Sequence, residues 1–349
     1  MRYNTTKKIC VIGHFGFGKD FSDGQTVKTK IVSDELERRY GAGDMTRIDT
    51  EGGKKQILSY PYLILKALEK HDNIIILPAH NGLRVIAPLL ALENRCFHRR
   101  LHYVVIGGWL PEYLRAHPHV AKALRHFHGI YVETETMKKA LAAMGYGNVY
   151  VLPNCKQLTI LPESDLVYQT EEPFRLCTFS RVMKEKGIQD AVEAVETINR
   201  QQGKTVYTLD IYGQIDERQR TWFTELQKSF PDYVRYRGIV PYDKSVNVLK
   251  NYFALLFPTY YSGEGFAGTL IDAMASGVPA LASDWKYNPE IINENNGVCY
   301  RANDATALRI QLDSIRRNPQ AWNKKKRMCL QAARNYEVSN VITVLVKNL

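Results

Sequence analysis

Two carboxylates, Glu264 and Asp272, stand eight positions apart in EGFAGTLIDAMASGVPALASD, residues 264–284, across a glycine-rich turn that leads into a helix. Gly265 and Gly268, with Phe266 and Ala267 between them, let the backbone approach a ligand closely. The first N–H groups of the helix that follows have no acceptor within it and make a ready phosphate site. An acidic side chain beside such a site is badly placed for phosphate and well placed to accept hydrogen bonds from hydroxyls. Glu264 and Asp272 therefore suit a sugar and a ribose. The same stretch reads equally well as an ordinary αβ unit, with Thr269 to Met274 a buried helix face and Gly277-Val278-Pro279 a turn into a strand.

A second constellation is cationic. TFSRVMKEKGIQDAVEAV, residues 178–195, places Arg181 and Lys186 just before a helix, where fixed charge and helix dipole both favour a diphosphate. Taken alone, the segment is also an ordinary solvated strand-to-helix loop. A third, GHFGFGKDFSDGQTVKTK at residues 13–30, follows the first apolar run, and its bare Gly16, Gly18 and Gly24 would admit a ligand at the strand ends. It contains neither the GK[ST] of a Walker loop nor GxGxxG. His14 in this loop, His80 in ILPAHNGLR and Trp109 in GGWLPEY are candidate cleft residues, each with a structural role as the alternative.

The elements that must carry these residues are legible as alternation. Strands are expected at Ile9–Ile12, Ile74–Leu77, Tyr103–Ile106, Gly129–Val132 and Val149–Leu152. After the polar stretch from Lys156 to Glu172, a second series is expected at Arg175–Phe179, Tyr207–Tyr212, Val234–Arg237, Ala254–Phe257 and Ala280–Ala282. Helices such as Ile188–Gln201, Glu217–Ser229 and Thr269–Ser276 lie between the strands. Short apolar runs separated by helical patterns are the signature of βαβ units. The expected fold is α/β, with two doubly wound Rossmann-like parallel-sheet domains facing across a cleft: residues 1–160, residues 161–334, and a last helix near 335–349 reaching back to the first domain. A chain of 349 residues is long enough for two cores.

Composition narrows the class. The chain is 45% hydrophobic and 24% charged, as in a soluble enzyme, and no apolar run approaches the roughly 18 residues that span a bilayer. The N-terminus passes from polar residues straight into a short strand, unlike a signal peptide, so a cytoplasmic location is expected. Six scattered cysteines without a CxxC pair predict reduced thiols, with neither disulfide nor structural zinc. The net charge of +11 is uneven. Residues 1–160 hold 23 Lys and Arg against 14 Asp and Glu, and all nine histidines lie between His14 and His128. A basic first half points to an anionic partner such as a nucleic acid, a lipid diphosphate or a membrane leaflet, or to simple surface solvation.

Taken together, the motifs resemble those of the retaining glycosyltransferases of the GT-B fold, glycosyltransferase family 4, over nearly the whole chain and most strongly from Leu176 to Tyr300. SRVMKEKG is similar to the family's Arg-x4-Lys-Gly, LDIYGQ to its glycine-ended strand and YRGIVPYDK to its FxGxV turn. FPTYYSGEGFAGTLIDAMASGVPALASD is similar to its Glu-Gly-Phe-Gly…Glu-Ala block, and VYVLPNC to its VxVIPNG. The resemblance implies that the second domain binds a nucleoside-diphosphate sugar and the first an acceptor, glycan or lipid-linked. Arg181 and Lys186 would bind the diphosphate in place of a metal, aided by the amides of Gly265 to Gly268. Glu264 would hold the donor sugar, Asp272 the ribose, and the backbone near Gly238 and Val240 the base. His80, Trp109 and the glycines at 16, 18 and 24 would face the acceptor.

No Asp-x-Asp triplet occurs, and neither metal nor cofactor is expected. Asp272 is one methylene shorter than the family's second glutamate, and Gly107-Gly108 stand where many members carry a histidine. The implied activity is metal-independent retaining transfer in bacterial capsule, exopolysaccharide or lipopolysaccharide assembly, with the basic domain resting on an anionic membrane. The competing classes are a sugar-nucleotide 2-epimerase of the same architecture, a non-catalytic partner subunit and a nucleic-acid binder. The last is disfavoured because the basic residues are not interleaved with aromatics in a binding motif.

Overall fold

A computed structural model describes residues 7–18, 24–51 and 58–349. The chain divides into two compact units, residues 1–157 with 337–349, and residues 158–336. Each is built on a six-stranded parallel sheet.

In the first unit the strands are β1 (Ile9–Gly13), β2 (Met45–Asp49), β3 (Asn73–Leu77), β4 (Arg100–Val104), β5 (Gly129–Val132) and β6 (Val149–Val151), ordered β2-β1-β3-β4-β5-β6. Every residue of β1 and β3 is buried, as expected of short apolar runs covered by helices on both faces. Helices Gly24–Tyr40, Tyr60–Lys70, His80–Phe97 and Glu135–Ala143 supply crossovers. Two short helices, Val338–Val341 and Thr343–Val346, pack Val341, Ile342, Leu345 and Val346 against Ile9, Val11 and Tyr131.

In the second unit β7 (Phe174–Phe179), β8 (Tyr207–Tyr212), β9 (Val234–Gly238), β10 (Ala254–Phe257), β11 (Ala280–Ser283) and β12 (Gly297–Tyr300) are ordered β12-β11-β10-β7-β8-β9. The chain moves outward from β7 to β9, then returns to lay β10 on the other side of β7. That reversal is a topological switch point, and ligands of such sheets bind outside the strand ends there. The same logic puts the switch point of the first sheet between β1 and β3.

Four readings need correction. The pattern misses β2 and β12. Both are edge strands, and the polar, half-buried MTRID and the short GVCY carry no continuous apolar run. Strand β4 begins at Arg100 rather than Tyr103, because the buried His102 finds partners inside the fold, Tyr131 Oη at 3.2 Å and Asn73 Oδ1 at 3.3 Å. Desolvation pushes this imidazole down to about 3, so it packs as a neutral ring. The expected helix from Glu217 starts as a single 3-10 turn, Glu217–Gln219, and becomes α-helical only over Arg220–Lys228. The last segment is the two short helices above, preceded by a 3-10 turn at Arg334–Tyr336, instead of one helix.

Candidate functional site

The loop after β7 and the loop after β10 meet at the switch point of the second sheet. Gly187, at φ +69°, makes the meeting possible, since a Cβ there would lie 2.2 Å from the carbonyl oxygen of Pro258. Tyr260 N–H donates to the Glu185 carbonyl at 2.8 Å and ties the two loops together. A third loop supports them from β8, as Val182 N–H donates to Gln214 O at 2.8 Å and Lys184 N–H to Gln219 Oε1 at 2.7 Å.

This framework brings Lys186 Nζ to 2.6 Å from Glu264 Oε2, with side chains only 11% and 9% exposed. The same oxygen accepts the hydroxyl of Thr259 at 2.8 Å, and Thr259 is fully buried. Thr259 is held in turn at its carbonyl by Ser283 Oγ, from the end of β11, at 2.5 Å. The Lys186 ammonium also lies 5.3 Å from the ring centre of Tyr261 and 5.4 Å from that of Phe257, within cation–π range.

Lys186, Glu264, Tyr261 and Phe257 line a cavity of about 270 Å³, together with Ser180, Arg181, Ala267, Gly268 and Thr269. Helix Gly268–Ala275 opens onto it with no side-chain cap, so its first amides and dipole face the space where Lys186 and Arg181 stand. Arg181 is 58% exposed, and its Nη1 lies 3.8 Å from Asp216 Oδ2. The cavity thus offers cations and amides to an anion, and one hydrogen-bonded carboxylate to hydroxyls.

Of the residues singled out in the sequence, Arg181, Lys186, Glu264, Ala267 and Gly268 come together here. Phe266 is buried against Tyr336, ring centres 5.4 Å apart, and Gly265 stands in the turn before the helix. Asp272 is 6% exposed, one turn deeper in the helix than Gly268, and does not line the cavity. Gly238, at φ +78°, ends β9 and Val240 follows it, two strands from β7 along the same carboxyl edge. Sequence reasoning passed over Thr259, Tyr261 and Asp216. The paired tyrosines before Glu264 were a signal; the hydroxyl of Thr259 became informative only through its partner. A larger cavity of about 720 Å³, between helices Ile188–Gln202 and Ala305–Arg317, contains none of these residues.

In the first unit the glycine-rich loop is anchored by Asp49 at the end of β2. Its carboxylate accepts the amides of Phe15 at 2.9 Å and Phe17 at 3.0 Å, while Gly16 and Gly18 take left-handed φ of +59° and +79°. Burial works to raise this carboxyl, and the amides of Phe17, Glu51, Phe15 and Gly16 together outweigh it and hold it below the ordinary carboxylate value. Residues 19–23 of the loop lie outside the described residues. Gly24 opens helix Gly24–Tyr40, and His14 Nδ1 is 2.7 Å from Thr26 Oγ1.

His80 and Trp109 do come together, after β3 and β4. Their rings stack at 3.8 Å, with Tyr113 edge-on to both and itself stacked on His117 at 3.9 Å. Desolvation, reinforced by His117, lowers the His80 pKa. Beneath this wall Lys28 and Glu133 form a buried pair at 2.6 Å, and Glu133 Oε2 accepts the amide of Gly107 at 3.2 Å. Among the described residues no group of three or more His, Cys, Asp or Glu side chains is placed to hold a metal ion, and no helix is long and apolar enough to cross a membrane.

Residues 167–336 match the family model described as glycosyl transferases group 1. Among characterised proteins, the chain is 28% identical over 142 residues to the amylovoran biosynthesis glycosyltransferase AmsK of Erwinia amylovora, covering 39% of this chain and 34% of that one. It is 32% identical over 132 residues to the GtfA subunit of the UDP-N-acetylglucosamine–peptide N-acetylglucosaminyltransferase of Streptococcus agalactiae, covering 37% and 24%. The matched stretch therefore spans about a third or less of these relatives. Among solved structures, Anabaena Alr3699/HepE in complex with UDP superposes with a TM-score of 0.75 at 14% identity, over 97% of this chain and 98% of that one. This is a likeness of fold, and the expected α/β class with two Rossmann-like sheets agrees with it.

Proposed function

We propose, for a chain that belongs through residues 167–336 to the group 1 glycosyl transferases, that it moves a sugar from a nucleoside-diphosphate donor to a glycan or lipid-linked acceptor with retention and without a metal. The observation that carries this reading is the convergence of Lys186, Glu264, Arg181 and an uncapped helix N-terminus on one cavity. In this reading the β-phosphate lies against the helix amides. Lys186 and Arg181 stabilise the charge that grows on the leaving diphosphate, and such preorganised donors are worth most when aimed at developing charge. Glu264, its proton acceptors oriented by Thr259, holds hydroxyls of the transferred sugar. Asp272 serves the ribose only if donor binding uncovers it, and Gly238 and Val240 border the base. The leaving phosphate itself takes the acceptor proton on the same face, so no protein nucleophile is required.

The first unit binds the acceptor, with His80 and Trp109, after β3 and β4, as its candidate contacts. The product is assigned to bacterial capsule, exopolysaccharide or lipopolysaccharide assembly, and likeness to a protein named an amylovoran biosynthesis glycosyltransferase supports a biosynthetic role. The excess of basic residues before residue 160 supports a cytoplasmic enzyme resting on an anionic leaflet.

A thermal-shift screen tests the donor site. The protein is melted with UDP, GDP, ADP, CMP and dTDP and their common sugars, without metal and again with magnesium. A metal-independent rise with one nucleotide diphosphate supports the reading and identifies the base. No rise with any of them contradicts it. Sedimentation with vesicles of anionic or neutral lipid tests the membrane part, and equal binding to both rejects it.

A further inference from the structure

The charges around the cavity do not balance for a diphosphate. Lys186 is matched by Glu264 at 2.6 Å, and Arg181 is opposed by Asp216. One more cation, Arg218, shares the Asp216 carboxylate with Arg181. Arg218 grips the Asp216 carboxylate with two hydrogen bonds, Nε to Oδ1 at 3.1 Å and Nη2 to Oδ2 at 3.0 Å. Arg181 Nη1 lies 3.8 Å from that same Oδ2.

Asp216 is a fixed point. Its side chain is 7% exposed, its own N–H donates to Val182 O at 3.0 Å, and its Oδ1 accepts the amide of Arg218 at 3.1 Å. One buried carboxylate thus holds two guanidinium groups, one of which, Arg181, lines the cavity. Arg218 itself is 81% exposed. Two of its five N–H donors are used by Asp216, and the rest remain for a phosphate.

We propose that Arg218 is a second guanidinium of the diphosphate site, and that Asp216 is the positioning residue that sets Arg218 and Arg181 as a pair. This rests on the donor-site reading above. The competing role is local, with Arg218 merely closing the 3-10 turn at Glu217–Gln219. A guanidinium pair has the planar donor geometry that phosphate oxygens prefer, which a lysine in either place would lack.

The test is calorimetric titration of the full chain with UDP, ADP and GDP, and with the nucleoside of the tightest of them. Arg218→Gln is expected to weaken the diphosphate about tenfold, as loss of a charged hydrogen bond does, and to leave nucleoside binding within about twofold. Asp216→Asn is expected to weaken the diphosphate by a similar factor, although it touches no ligand atom in this arrangement. Diphosphate affinity unchanged in Arg218→Gln, with only a lowered melting temperature, overturns the inference and leaves the donor site standing. Failure of the wild-type chain to bind any of the three nucleotides overturns the donor-site reading and this inference together.

Discussion

Lys186 and Glu264, 78 positions apart in the chain, face each other at 2.6 Å in the resting protein, with Thr259 donating to the same carboxylate oxygen. The cation proposed for the diphosphate and the anion proposed for the sugar therefore hold each other in place before any donor arrives. Such a pair costs desolvation, which the short contact and the added hydroxyl offset.

Removing either partner alone leaves the other charge nearly buried. Lys186→Met and Glu264→Gln are each expected to lower stability by roughly 2–3 kcal/mol and transfer by more than a hundredfold, and the double variant to regain part of the stability with none of the activity. Urea unfolding of the three variants, read beside turnover, checks this. Near-normal turnover in either single variant contradicts the assigned roles.

Thr259→Val keeps the volume and removes the hydroxyl that orients Glu264. The expected loss is about tenfold to a hundredfold in kcat with little change in donor KM, corresponding to about 1–3 kcal/mol for a broken buried hydrogen bond. Thr259→Ser should restore most of it. Equal activity of the valine and serine variants would show that Glu264 is oriented without this contact.

Gly187→Ala places a Cβ 2.2 Å from Pro258 O at a left-handed φ of +69°. The loops after β7 and β10 must separate to accept it. A loss of more than about 2 kcal/mol is expected, with donor binding lost to the same extent. Circular dichroism melts and nucleotide titration would show both effects. Wild-type binding in this variant would mean that the loops need not touch.

Lys326 is fully buried, donates to the Tyr252 carbonyl at 2.9 Å, and is lowered to about 8 by desolvation. Between about pH 8 and the unfolded value near 10.4, the unfolded chain holds a proton that the folded chain has released. Stability should therefore rise with pH across that window, by at most about 1.4 kcal/mol per unit. Lys326→Met should flatten the rise. Urea midpoints at pH 7, 8, 9 and 10 compare the two chains, and identical slopes would refute the neutral-lysine account.

Much of this protein is written locally. The apolar runs of β1, β3, β7 and β10 and the helical spacing behind them are properties of ten or fifteen consecutive residues. The α/β class and the position of Arg181, Lys186 and Glu264 at strand ends follow from the sequence alone. Strands β2 and β12 escaped because MTRID is polar and GVCY is short, and an edge strand tolerates both.

Which loops meet is a different matter, decided by the order β9-β8-β7-β10 in the sheet. That order places the loops after β7 and β10 side by side, and so pairs Lys186 with Glu264, buries the hydroxyl of Thr259 behind them and lets Asp216 collect two arginines. It also sets Asp272 a turn below the surface that Gly268 reaches. The Lys186–Glu264 and Arg181–Asp216 pairings depend on packing between elements tens of residues apart, where the tertiary fold alone sets burial and charge pairing.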